Sequence, residues 1–186
     1  MRLFIAIQLT DSMKKALVGT LHDLKKQGIA GNYVPMQNFH ITLAFIGEYN
    51  DTAPIKEVMD SIPVEKARLS FSDFGNFGDA FYIGIKGNQK IKKYASDLRK
   101  GLASRGIPCD TAKFEPHVTL IRKQKGPRPS GIPLPKADMT VSKVSLMKSE
   151  TRDGKTVYKE LYSVEGAHSF LRVPTQTFFS GDKHFF

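Results

Sequence analysis

The chain has 186 residues, 40% hydrophobic and 25% charged, which suits one domain or two small lobes sharing a core. Its net charge of +10 favours polyanionic partners through phosphate neutralisation, although a solubilising surface explains such an excess equally well. No apolar run reaches the roughly 18 residues of a membrane helix, and the start lacks a signal-peptide core with its cleavage site. The single cysteine, Cys109, excludes an intramolecular disulfide and fits a reducing compartment, so a cytoplasmic protein without membrane association is expected.

Taken in chain order, Leu3, Ile5, Ile7 and Leu9 alternate and predict a strand over residues 2–9. Thr10 or Asp11 caps a helix with Met13, Ala16, Leu17, Leu21 and Leu24 on one face, Lys25 and Lys26 at its negative end and Gly28 as its stop. A polar linker containing Pro35 leads to a strand near 39–46, ended by Gly47. Thr52 and Pro54 open a second helix bearing Ile55, Val58, Met59 and Ile62. Residues 66–72 and 80–86 read as strands, joined by a Gly- and Asn-containing turn segment over 73–79. Within it, Phe74 and Phe77 either offer a base a stacking surface or pin the loop to the core.

Asn88 caps a third helix with Ile91, Tyr94, Ala95, Leu98 and Leu102 inward; Lys90, Lys92, Lys93, Arg99 and Lys100 form a solvated outer face, and Gly106 ends it. A strand over 117–123 gives way to a basic loop, Lys123 to Gly131, in which two prolines and two glycines preclude regular structure. Residues 138–148 and 156–165 alternate as strands around Arg152-Asp153-Gly154-Lys155, whose Asp-Gly suits a hairpin turn. Residues 166–186 carry five phenylalanines without periodicity and remain an unassigned extension; His22, His168 and His184 receive no role. The order β-α-β-α-β-β-α-β-β-β, with several hairpins, predicts an α+β fold of mainly antiparallel sheets.

Two of these strands repeat one another. His40-Ile41-Thr42-Leu43 and His117-Val118-Thr119-Leu120 share the frame His-(Ile/Val)-Thr-Leu, with the histidines 77 positions apart. A lone His-x-Thr on a strand is usually structural, but two among five histidines indicate an internal duplication that brings both imidazoles to one cleft. In an extended strand His40 and Thr42 share one face, and Ile41, Leu43 and Phe45 take the other. By the same alternation Arg122 falls opposite His117, unless a bulge or strand end after Ile121 turns it inward.

Paired imidazoles admit three chemistries. A zinc site needs further ligands, and no His-Glu-x-x-His spacing is present. A histidine activating Ser or Cys would leave the second motif idle, and no Gly-x-Ser-x-Gly elbow occurs. The third is a base–acid pair: with a free pKa near 6.5, one ring can be neutral and the other protonated, as hydrolysis of a cyclic phosphodiester requires. Thr42 and Thr119 are then placed to donate to the non-bridging oxygens.

Arg2-Leu3-Phe4-Ile5-Ala6-Ile7, Asn38-Phe39-His40-Ile41-Thr42-Leu43, Pro116-His117-Val118-Thr119-Leu120-Ile121-Arg122 and the late hairpin with Ser149, Gly154 and Tyr158 resemble the two-histidine (2H) phosphoesterases. Within that superfamily they resemble the RNA 2′,3′-cyclic phosphodiesterases, formerly 2′-5′ RNA ligases. The resemblance covers about residues 1–165. It implies a single domain over 1–186 of two pseudo-symmetric lobes around a central cleft, with helices outside. It further implies opening of an RNA 2′,3′-cyclic phosphate to a 2′-phosphate by a monomer without metal or cofactor, with 2′-5′ ligation as a reverse side activity. His40 would be the proton donor, His117 the proton acceptor, and Thr42, Thr119 and Arg122 the phosphate ligands. The rival expectations are a phosphodiesterase acting on a small cyclic or 2′-5′-linked nucleotide, and a non-catalytic RNA-binding module.

Overall fold

The structure is a computed structural model and describes residues 1–166, so the phenylalanine-rich extension, His168 and His184 lie outside the described residues. The elements are β1 (Arg2–Gln8), α1 (Asp11–Lys26), β2 (Ala30–Tyr33), a 3-10 turn (Met36–Asn38), β3 (His40–Glu48), α2 (Ala53–Ser61), β4 (Ala67–Phe77), β5 (Ala80–Lys86), α3 (Gln89–Ser104), β6 (His117–Lys125), β7 (Asp138–Val141), β8 (Lys143–Arg152) and β9 (Lys155–Glu165). They form a four-stranded sheet, β3-β1-β8-β9, and a five-stranded sheet, β2-β6-β5-β4-β7. Every strand pairing is antiparallel, as expected for an α+β fold. No described helix is long and apolar enough to cross a membrane.

Both sheets turn an apolar face to one core. Leu3, Ile5 and Ile7 of β1, Ile41 and Leu43 of β3, Ile83 and Ile85 of β5, and Val118 and Leu120 of β6 are all buried there. The helices close it with the faces read from their periodicity: Met13, Leu17, Leu21 and Leu24 from α1, and Ile91, Tyr94, Ala95, Leu98 and Leu102 from α3. On the other face of β1, Phe4 and Ala6 join Met147 in a smaller cluster against Tyr158. Thr10 caps α1 by accepting from the Met13 amide (3.4 Å), and Gly28 leaves the helix at φ +72°. Asn88 precedes α3 without capping it; its side chain donates instead to the Ile85 carbonyl.

Four sequence expectations change. The linker after α1 contains β2, a short edge strand against β6 that has no apolar alternation to announce it. β4 continues to Phe77, because a bulge at Ser72-Asp73 restores its pairing with β5 and shortens the turn to Gly78-Asp79. β6 likewise continues to Lys125, so the basic loop begins later than expected. Residues 138–148 are two strands: β7 joins β4 in one sheet and β8 joins β1 in the other, broken at Ser142. The inward residues Val141 and Val144 are three apart, an odd spacing that a single strand cannot keep on one face.

Candidate active site

β3 and β6 each carry a bulge at the leucine of the repeated motif. Opposite β1, Thr42 pairs with Ala6 and Ala44 with Ile5, which leaves Leu43 as the extra residue. Opposite β5, Thr119 pairs with Tyr82 and Ile121 with Phe81, which leaves Leu120 extra. Two consecutive side chains then enter the core, Leu43-Ala44 and Leu120-Ile121, all fully buried. The inserted residue reverses the alternation downstream. Phe45 and Arg122 therefore return to the face of His40 and His117, against the strict period-2 reading of both. The bulge lies at Leu120, not after Ile121. Edge strand β2 follows the distorted β6 because Gly31 has no side chain; a Cβ there would meet Ile121 Cγ2 at 2.5 Å.

The two imidazoles are held in the same way. His40 Nδ1 lies 2.7 Å from the carbonyl of Asn38, and His117 Nδ1 lies 2.6 Å from that of Glu115, positions again 77 apart. A carbonyl only accepts, so each Nδ1 carries the proton and each Nε2 is left for chemistry. In the neutral ring His40 Nε2 accepts from the Thr42 hydroxyl at 2.9 Å. The His117 Nε2 has no such partner among the described residues. Aromatic rings fix each plane: Phe4 and Tyr158 lie 5.0 and 5.2 Å from the His40 centroid, and Phe77 and Tyr82 lie 4.9 and 5.1 Å from that of His117.

His40, Thr42, His117, Thr119 and Arg122 line one cavity of about 370 Å³, large enough for a nucleotide-sized ligand. All five sequence-selected residues thus meet, and Arg2, Phe4, Phe45, Ser149 and Tyr158 are among the other residues of its walls. Burial, with smaller contributions from the Arg122 charge and from His117, brings His40 down to about 4 against the Asn38 hydrogen bond. Burial, with Arg122, also lowers His117, against the contributions of Glu115. Both rings are therefore neutral at pH 7, and an anion placed between them would draw a proton onto one. Among the described residues no group of three His, Cys, Asp or Glu side chains is arranged to hold a metal ion.

Several contributors lie outside the five site residues named from the sequence. Tyr158 reaches His40 because β9 folds back on β8 through Asp153 (φ +50°) and Gly154 (φ +74°), the anticipated Asp-Gly hairpin. Phe74 stacks on Phe81 and packs against the core, whereas Phe77 remains 45% exposed, stacked on Tyr82 beside His117. Arg99, expected on the solvated face of α3, is only 19% exposed. It donates to the Leu43 carbonyl (3.0 Å), to the Ala112 carbonyl (2.6 Å) and to Asp110 (3.3 Å), while Asp110 accepts from the Phe45 amide (2.8 Å). The guanidinium thus satisfies the carbonyl of the β3 bulge, a demand invisible to helical periodicity. Lys123, Lys125 and Arg128 of the basic stretch do not line the cavity.

An RNA 2′,3′-cyclic phosphodiesterase of Thermotoga maritima is 27% identical to this chain, over 92% of it and 99% of the relative. One of Aeropyrum pernix is 34% identical over 82% of this chain and 98% of its own length. E. coli LigT complexed with 3′-AMP superposes with a TM-score of 0.79 at 26% identity, covering 89% of this chain and 97% of that one. The profile of the 2′-5′ RNA ligase superfamily matches residues 24–153, a span that holds both histidine motifs and both bulged strands. The chain belongs to that superfamily, the 2H phosphoesterases.

Proposed function

We propose that this protein hydrolyses the 2′,3′-cyclic phosphate of an RNA end to a 2′-phosphate, using its two histidines and no metal. The observation that carries the proposal is the pair of Nδ1-anchored imidazoles whose Nε2 atoms are left to one cavity shared with Thr42, Thr119 and Arg122. The names of the Thermotoga and Aeropyrum relatives and the 3′-AMP held by LigT support the substrate class.

In the proposed reaction His117 Nε2 removes a proton from water as the water oxygen bonds to phosphorus. The bond from phosphorus to the 3′ oxygen breaks, and that oxygen takes the proton from His40 Nε2. One water is consumed; the product is a 2′-phosphate with a free 3′ hydroxyl, and solvent exchange resets both rings. The open Nε2 of His117 suits the base. His40 becomes a donor once the bound phosphate raises its pKa, its Nε2–H then turning to the 3′ oxygen and leaving the Thr42 hydroxyl to donate to the phosphate. Arg122 compensates charge on the non-bridging oxygens, assisted by the threonine hydroxyls. Reversal with a 5′-hydroxyl RNA would form a 2′-5′ linkage, a minor activity because water competes.

The same reading takes residues 1–186 as one duplicated domain acting as a monomer in the cytoplasm, which the motif offset and the lone cysteine support. The test is an RNA oligonucleotide ending in a 2′,3′-cyclic phosphate. A 2′-phosphate product is expected with chelator present, and none from His40→Ala or His117→Ala proteins that retain the fold. Loss of turnover on chelation would replace this mechanism by a metal-dependent one.

A further inference from the structure

The two lobes use the same bulge but place different side chains after it. Phe45 stands 77 positions before Arg122, the separation of the two motifs, so the β3 lobe has an aromatic ring where the β6 lobe has its cation. A cation reaches that place from the neighbouring strand. Arg2, at the start of β1, sets its guanidinium carbon 5.3 Å from the Phe45 ring centroid and lines the same cavity. It shares a face of β1 with Phe4, which touches His40, and lies about 7 Å further along the strand. Among the described residues Arg2 has no carboxylate partner; Glu48, opposite it in register, faces the Met1 ammonium at 3.3 Å.

We propose that Arg2 is a second anion site of this cavity, holding the phosphodiester that joins the terminal nucleotide of an RNA end to its neighbour. The inference rests on the cyclic-phosphodiesterase reading above and narrows its substrate to an oligonucleotide end. The reacting cyclic phosphate carries one negative charge, and Arg122, whose charge acts on both histidines, is placed to match it. Arg2 stands beyond Phe4 along β1, with Phe4 between it and the His40 ring. Its ligand is then the next anion along the chain. The Phe45 ring beside the guanidinium holds it at the wall and reduces the freedom lost on binding.

The experiment compares wild type, Arg2→Gln and Arg2→Lys on a dinucleotide ending in a 2′,3′-cyclic phosphate and on a 2′,3′-cyclic mononucleotide. For Arg2→Gln a roughly tenfold rise in KM is expected on the dinucleotide, with kcat unchanged and the mononucleotide within twofold. Arg2→Lys should recover part of the loss. The salt dependence of dinucleotide binding should flatten by about 0.7 in log–log slope, one phosphate contact on a single strand. Equal losses on both substrates would assign Arg2 to the reacting phosphate, and no loss on either would leave it a packing residue; each overturns the proposal. Calorimetric titration with a 2′-phosphorylated dinucleotide and a nucleoside 2′-phosphate reads the same difference without turnover. A wild type that binds both but hydrolyses nothing would therefore overturn the catalytic reading alone. Unchanged thermal midpoints verify that Arg2, an exposed side chain, is not needed for folding.

Discussion

His40 supplies a prediction whose size follows from its surroundings. Its ring is packed against Phe4 and Tyr158, and burial lowers its pKa from 6.5 to about 4. In the unfolded chain the same group titrates near 6.5, so between about pH 6.5 and 4 the unfolded state binds the extra proton and the folded state does not. Stability must then fall as the solution is acidified through that window. The gap amounts to about 3 kcal/mol once fully expressed, of which about 2 kcal/mol is lost between pH 7 and pH 5. These are upper values, because one edge of the ring opens to the cavity. His117 acts in the same direction, while Glu150 and Glu160, held below the usual carboxylate range, contribute mainly below pH 4.5. The comparison is urea unfolding of wild type and His40→Gln at pH 5 and pH 7. The variant keeps the contributions of His117 and the carboxylates but lacks the one from His40, so wild type should lose up to about 2 kcal/mol more between the two pH values. Parallel pH dependences of wild type and variant would refute the buried neutral imidazole, and with it the expected proton uptake on phosphate binding.

Turnover should follow from the same ionisations. The kcat/KM profile, which reports the free enzyme, should peak on the acid side of pH 6.5, and the kcat profile should shift to higher pH because a bound phosphate would raise His40. Matching profiles centred above pH 7 would contradict this. Arg99→Met removes donors from the Leu43 and Ala112 carbonyls and from Asp110, and should cost about 2–4 kcal/mol in denaturant unfolding. The folded fraction should turn over about tenfold more slowly, as the β3 bulge loosens; full activity would mean the bulge holds without it. Phe77→Ala removes the exposed ring beside His117 and should raise KM for cyclic nucleotides about tenfold, the worth of one base stack. An unchanged KM would make the Phe77–Tyr82 pair structural only.

What the sequence disclosed depended on which signals were local. Alternation in β1, helical periodicity in α1 and α3 and the Asp-Gly hairpin each reflect a few neighbouring residues, and each appears in the fold as read. The repeated motif disclosed more, because two distant segments with one pattern announce a common environment, and both line one cavity. β2 was silent because Ala30-Gly31-Asn32-Tyr33 pairs through its backbone and buries almost nothing. Arg99 was misread because helical periodicity registers which face is apolar, whereas an unpaired carbonyl on another element is a tertiary fact. Tyr158 and Phe77 reach the histidines only through strand pairing across β8–β9 and β4–β5, which no single stretch specifies.

The bulges explain why the site depends on a backbone irregularity as well as on side-chain identity. A regular strand beginning His-x-Thr would send Arg122 and Phe45 into the core, where an unpaired guanidinium is untenable. One extra leucine reverses that, burying Leu120 and Ile121 together and returning the next residue to the cavity. The leucine of the motif is therefore a steering residue as well as a core one. Because β3 and β6 carry the same bulge, the position after it can differ without disturbing either histidine, and it is arginine in β6 and phenylalanine in β3. A symmetric duplication would set two equal cations about one phosphorus. The divergence leaves Arg122 near both rings and moves the other cation, Arg2, outward along β1. On the proposed reading that asymmetry gives the cavity a direction: the reacting phosphate would sit beside Arg122, and the chain that carries it would depart past Phe45.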